Sequence, residues 1–131
     1  MLRGGCYCGA IKYEIAGPTF HQTNCHCTIC RRTTGGTYVS WFSASKADFR
    51  WLSGTPTRFQ STPHGTRSFC PRCGAQLVFE DSRFPDELDV TSVSLEDPEA
   101  VAPRDHTQTR TRLGFVKLDD GLPAYTDARD P

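Results

Sequence analysis

The sequence has no net charge to offer a partner. Its 15 Lys and Arg balance 15 Asp and Glu over 131 residues, so no basic field marks nucleic acid or an anionic membrane as the expected partner. No charge run, low-complexity tract or Pro/Ser-rich linker divides the chain, and we expect a single domain over residues 1–131. Nowhere does it carry the run of about 18 apolar residues that a membrane span needs. The opening Met1-Leu2-Arg3-Gly4-Gly5 lacks the apolar stretch of an export signal. These absences predict a cytoplasmic protein that does not cross a membrane.

Helical periodicity is also scarce, and alternation takes its place. Apolar and polar residues alternate at Ile11, Tyr13 and Ile15, at Tyr38 to Phe42 and at Leu88 to Val93, with Gly and Pro at short intervals between. Further strands are expected at Phe49 to Leu52, Thr57 to Thr62, Thr66 to Phe69, Gln76 to Glu80 and Leu113 to Lys117. Their spacing suits an all-β sandwich or folded-over sheet. Two helical turns are expected: Ile29 to Thr33, stopped by Gly35-Gly36, and one opened by Asp97 as cap with Pro98 at its first position.

The seven cysteines are an odd number. They fall in C-x-C and C-x-x-C clusters rather than at the wider separations of a secreted disulfide framework. That favours reduced thiolates on metal over a disulfide pair or free buried thiols. In Cys70-Pro-Arg-Cys73-Gly74, two cysteines three apart on a tight turn can place both sulfurs about 2.3 Å from one zinc. Cys6-Tyr-Cys8-Gly9 can do so from an extended segment, because side chains at i and i+2 point to the same side. Cys8 and Cys73 are each followed by Gly-Ala and then a strand, two copies of one device in which glycine permits the φ > 0 the turn needs. Pairing the copies predicts a closed structural zinc site of Cys6, Cys8, Cys70 and Cys73. Such sites contribute on the order of 10 kcal/mol, comparable with the whole stability of a domain.

Cys25, Cys27 and Cys30 remain, with no eighth cysteine to complete a second set. The fourth position falls either to water or substrate, which would make that zinc site catalytic, or to His21, His26 or His64, which would make it structural. His26, between two ligands in an extended segment, should point away from their metal. His21 and His64 read as loop residues, and His106 as a half-exposed strand residue. Asp119-Asp120-Gly121 reads first as a turn.

Four motifs carry a resemblance: G-G-C-Y-C-G at Gly4 to Gly9, C-H-C-T-I-C-R-R at Cys25 to Arg32, F-C-P-R-C-G at Phe69 to Gly74, and D-D-G-L-P-A-Y at Asp119 to Tyr125. Together they resemble the glutathione-dependent formaldehyde-activating enzyme family. The resemblance implies an Mss4-like fold of folded-over antiparallel sheets, and the same partition of the cysteines between two zinc ions. It also implies reversible addition of a small thiol such as glutathione to a small aldehyde, formally the work of a carbon–sulfur lyase. This chain departs from many relatives in having Leu113-Gly114-Phe115 where they carry a tryptophan.

A zinc with three thiolates carries a net charge near −1 and is a poor Lewis acid, better suited to holding a substrate thiolate than to activating water. A fourth thiolate there calls for nearby cations. Arg31 and Arg32, directly after the third ligand, are the expected ones, either compensating the charge or gripping the carboxylates of a glutathione-like substrate. Two other classes of function stay open: a non-catalytic zinc-stabilised module binding peptide or nucleic acid through Trp41, Trp51 and Arg67, and a thiol redox enzyme using Cys25, Cys27 and Cys30 without metal.

Overall fold

A computed structural model describes residues 1–129 and contains ten strands and one α-helix. The strands are β1 (Leu2–Gly5), β2 (Lys12–Ile15), β3 (Thr19–Cys25), β4 (Val39–Ser45), β5 (Phe49–Ser53), β6 (Thr57–Gln60), β7 (Gly65–Phe69), β8 (Gln76–Asp81), β9 (Glu87–Thr91) and β10 (Asp105–Thr107). The helix, α1, spans Thr28–Thr34. Among the described residues, no helix is long and apolar enough to cross a membrane. The fold is all-β, as expected.

β1, β2 and β5 form a small antiparallel sheet, and the other strands a larger one in the order β10-β3-β4-β9-β8-β7-β6. Among the described strands, only the β10–β3 pair is parallel. Alternation sorts the side chains. Tyr13 and Ile15 of β2 pack with Phe42 and Ala44 of β4, Leu88 and Val90 of β9, and Val78 of β8 in one buried cluster. The opposite face of the large sheet is thereby left for polar groups. Tyr13 is fully buried, and its hydroxyl meets Ser94 Oγ at 2.6 Å. Gly4 lets these groups approach, because a Cβ there would lie 2.4 Å from the Tyr13 hydroxyl oxygen.

The expected helical turn forms as α1. Cys27 caps its start, its sulfur accepting from the Cys30 N–H at 3.1 Å, and Gly35 closes it at φ 81°. The Pro98 turn forms as a short 3-10 segment, Pro98–Val101, in which the Asp97 side chain makes no capping bond. Leu113 to Lys117 is not a strand. It is a turn closed by the Val116 N–H on the Leu113 carbonyl, and Phe115 is exposed; its alternation has no sheet edge or core to pair with. Three strands lacked the alternating signal. β1 is the glycine-rich Leu-Arg-Gly-Gly, and β10 is only three residues long. β3 is mostly polar, with Phe20 and Cys25 as exceptions, and buries Gln22, Thr23 and Asn24 because neighbouring side chains satisfy them. Asn24 accepts from Ser40 at 2.6 Å, and the Thr23 hydroxyl pairs with that of Thr107 at 3.0 Å.

Candidate metal centres

The seven thiols are unpaired and gather in two clusters. In the first, the sulfurs of Cys6, Cys8, Cys70 and Cys73 all lie within 4.8 Å of one another. Cys6 and Cys8 are 3.6 Å apart, Cys8 and Cys70 3.7 Å. A disulfide needs about 2.05 Å, whereas sulfurs at the corners of a tetrahedron around zinc stand about 3.8 Å apart. The donor set fits zinc.

The turns that carry these sulfurs are equivalent. The Cys6 N–H bonds the Ile11 carbonyl at 3.1 Å, and the Cys70 N–H bonds the Ala75 carbonyl at 3.0 Å. Gly9 and Gly74 follow the second cysteine of each pair at φ 82° and 79°. A Cβ at either would meet nothing within 4 Å, so backbone conformation rather than space selects glycine. Backbone N–H groups of Ile11, Arg72 and Cys73 point at the sulfurs of Cys6 and Cys70. The Ala75 N–H holds the Cys73 thiol down to about 6; the Ala10 N–H pulls on Cys8 as well, but burial and the neighbouring thiols push Cys8 up to about 11. Without a shared cation, thiols so crowded cannot all ionise.

The second cluster joins the end of β3 to α1. Cys25 leaves the strand, Cys27 caps the helix and Cys30 lies in its first turn. Their sulfurs fall within 4.8 Å of one another, with Cys25 and Cys30 at 3.7 Å, again a zinc-like spacing. Hydrogen bonds from the Cys25 and Cys30 thiols hold Cys27 down to about 2, while those same thiol contacts and burial push Cys25 well above the ordinary thiol range. Among the described residues, no fourth Cys, His, Asp or Glu donor joins the group.

A pocket of about 580 Å³ opens on this cluster, lined by Cys25, Cys27 and Cys30 but by none of the first four cysteines. Its floor is the polar face of the large sheet, carrying Thr23, Trp41, Ser43, Phe79, Arg67 and Asp89. Arg67 is 5% exposed and has no carboxylate partner within ion-pair distance among the described residues. Its guanidinium lies 4.8 Å over the Phe79 ring, donates to Thr33 and Ser61 at 3.3 Å each, and reaches Cys30 Sγ at 3.8 Å. A buried cation without a carboxylate is costly unless anions stand beside it, and the cysteines of the cluster would supply them as metal-bound thiolates. Asp89, half-buried on the central strand, is the other charged group of the floor. Burial pushes its carboxyl up to about 6; the Ser43 hydroxyl and Arg129 pull it down, and Glu87 and Asp81 add to the rise.

Arg31 and Arg32 lie elsewhere. Arg31 donates to the Thr111 carbonyl, Arg32 is exposed, and neither lines the pocket. Trp41 and Arg67, considered above as parts of a binding surface, are buried, and Trp51 packs against the core. Arg67 carried one sequence signal, a charge flanked by strand residues three positions before Cys70. Asp89 carried another, a carboxylate between core residues Leu88 and Val90.

The histidines also differ from expectation. His26 points away from its cluster, as expected, but is fully buried with its Nε2 3.0 Å from Nδ1 of His106. His106 is 1% exposed rather than half-exposed, and its Nε2 meets Asp120 Oδ2 at 2.8 Å. The Asp119-Asp120-Gly121 turn therefore also supplies a carboxylate that holds His106. The following segment pairs along β10, with the His106 N–H on the Pro123 carbonyl and the Tyr125 N–H on the His106 carbonyl, both at 2.8 Å. His21 lies in a bulge of β3 at φ 53° and lines the pocket, and His64 is an exposed loop residue beside Ser82.

Comparison with known proteins places this geometry. A Rhodobacter sphaeroides protein of known crystal structure superposes with a TM-score of 0.60 at 22% identity, covering 95% of this chain and 99% of that one, a likeness of fold. A Halomonas elongata protein, provisionally named a glutathione-dependent formaldehyde-activating enzyme, is 33% identical over 94 residues. That match takes in 66% of this chain and spans only 60% of the relative's length. A sequence model described as glutathione-dependent formaldehyde-activating enzyme matches residues 1–111, a stretch that includes every cysteine of both clusters. By that match, the chain belongs to the glutathione-dependent formaldehyde-activating enzyme family.

Proposed function

We propose that the protein is a zinc-dependent carbon–sulfur lyase that joins a glutathione-like thiol reversibly to a small aldehyde, with Cys6, Cys8, Cys70 and Cys73 holding a structural zinc and Cys25, Cys27 and Cys30 a second, catalytic one. The observation that carries this reading is the inequality of the two clusters. Four thiols close one site away from the pocket, and three thiols with no fourth protein donor among the described residues line it.

A zinc held by Cys25, Cys27 and Cys30 would lower the pKa of a thiol presented to it and keep the sulfur nucleophilic. The chain's own residues supply the rest. Arg67 balances the negative charge that three thiolates and a substrate sulfur accumulate, the role expected of Arg31 or Arg32, which stand outside the pocket. Trp41, Ile29 and Phe79 give the pocket apolar walls that keep water from competing for the aldehyde. In the forward direction, a sulfur lone pair forms the C–S bond and the carbonyl π pair moves to oxygen, which takes up the proton the thiol released. The reverse direction breaks the same bond and returns thiol and aldehyde.

Metal analysis and circular dichroism on two variants test the partition. Cys27→Ser is expected to lose one zinc and keep the fold, since serine still caps α1. Cys73→Ser is expected to lose cooperative folding, in keeping with the order of 10 kcal/mol that a structural zinc supplies. Equal unfolding of both variants, or wild-type protein that binds a single zinc, would contradict the reading.

A further inference from the structure

Residues paired across neighbouring strands share one face of a sheet. Ser43 pairs with Asp89, Asp89 with Phe79, and Phe79 with Arg67. These four form a transverse row on the pocket floor. Its two charged members do not meet, because Phe79 lies between them under the Arg67 guanidinium, and two strand spacings, about 9.6 Å, separate their backbones. The other arginines lining the pocket are already matched. Arg83 holds Asp81 at 2.8 Å, and Arg129 holds Asp105 at 3.0 Å. Asp89 has no cation within ion-pair distance among the described residues, and its side-chain hydrogen bond comes from the neutral Ser43 hydroxyl at 2.6 Å. A ligand whose sulfur lies by Cys30 and Arg67 therefore finds an unneutralised carboxylate across the floor.

We propose that Asp89 binds the ammonium group of the substrate, so that the pocket selects thiols whose amine stands well away from the sulfur, as in a γ-glutamyl thiol. The proposal rests on reading Cys25, Cys27 and Cys30 as the sulfur-binding end. The span decides the class. An amine about three bonds from its sulfur, as in cysteine or cysteamine, reaches only about 4 Å, whereas roughly eight bonds separate the two in glutathione and extend to about 10 Å. Set against the two strand spacings between Arg67 and Asp89, the first is short and the second comparable. The match also assigns a use to a charge that does nothing for the fold: the position costs stability when ionised, and Arg129, already paired with Asp105, relieves that cost only in part.

Titration calorimetry on the zinc-loaded protein tests this with glutathione, N-acetylglutathione, whose amine is capped, and S-methylglutathione, whose sulfur is capped. For the wild type, capping the amine is expected to weaken binding at least about tenfold, the worth of one charge-assisted hydrogen bond. In Asp89→Asn, glutathione should weaken by a similar factor while N-acetylglutathione stays unchanged. Equal binding of glutathione and N-acetylglutathione by the wild type would overturn the proposal, and so would a variant that weakens both thiols alike. The wild-type comparison does not depend on how the variant folds. S-methylglutathione binding as tightly as glutathione would instead overturn the sulfur-binding role of the three cysteines, and no binding by any of the three would overturn both.

Discussion

Asp89 and Arg67 are single charges placed where a fold alone would not put them. The Asp89 carboxyl is pushed from an ordinary 3.8 up to about 6 by burial on the central strand, so the folded protein binds its proton more tightly than the unfolded chain does. The stability this proton confers is fully present below pH 3.8 and is lost as pH rises through about 6. Asp89→Asn is therefore expected to be more stable than the wild type at pH 7, by up to about 3 kcal/mol, with the difference shrinking toward pH 4. Denaturant melts of both proteins across that range check it, and comparing the two cancels any loss of metal in acid. A variant no more stable at pH 7 would show that the carboxylate is well solvated. Neither Arg67 nor Asp89 was legible as a pocket residue, because alternation gives the face of a sheet but not what lies over it. Arg31 and Arg32 drew attention through nearness to Cys30 in sequence, whereas Arg67 reaches Cys30 from β7, 37 residues away.

At the level of elements, the two sulfur-bearing turns were legible because their chemistry is local. Cysteine, glycine and alanine in order set the φ > 0 turn before any tertiary contact is considered, and the structure repeats that turn at Gly9 and Gly74. Ala at either position is expected to cost roughly 1–2 kcal/mol, the strain of a left-handed residue with a Cβ, read as a thermal midpoint lowered by a few degrees with zinc content unchanged. A larger loss, or loss of zinc, would mean that the turn does more than set conformation. α1 was legible for the same reason, from its Gly35 stop. β3 and β10 were not, because their stability lies in partners distant in sequence: Thr107 pairs with Thr23, and the His26–His106–Asp120 chain ties β3, β10 and the closing turn together. The Leu113 to Lys117 alternation misled for the opposite reason, since a strand pattern without a neighbouring strand has nothing to bond.

Across the whole molecule, a sheet with one apolar face and one polar face explains the division of labour. The small sheet covers the apolar face, and Cys6 and Cys8 after β1 lie against Cys70 and Cys73 between β7 and β8. The polar face stays open, and the second cluster stands at its pocket. The all-β class and the division of the cysteines followed from composition and spacing; the pocket, which depends on seven strands lying side by side, did not. Substituting cobalt at both clusters and recording visible absorption while glutathione is added tests the inequality most directly. The account predicts that the d–d bands of one cobalt ion change as sulfur enters its coordination, that those of the other stay constant, and that Cys27→Ser abolishes the response. A spectrum indifferent to glutathione, or two ions that respond alike, would contradict it.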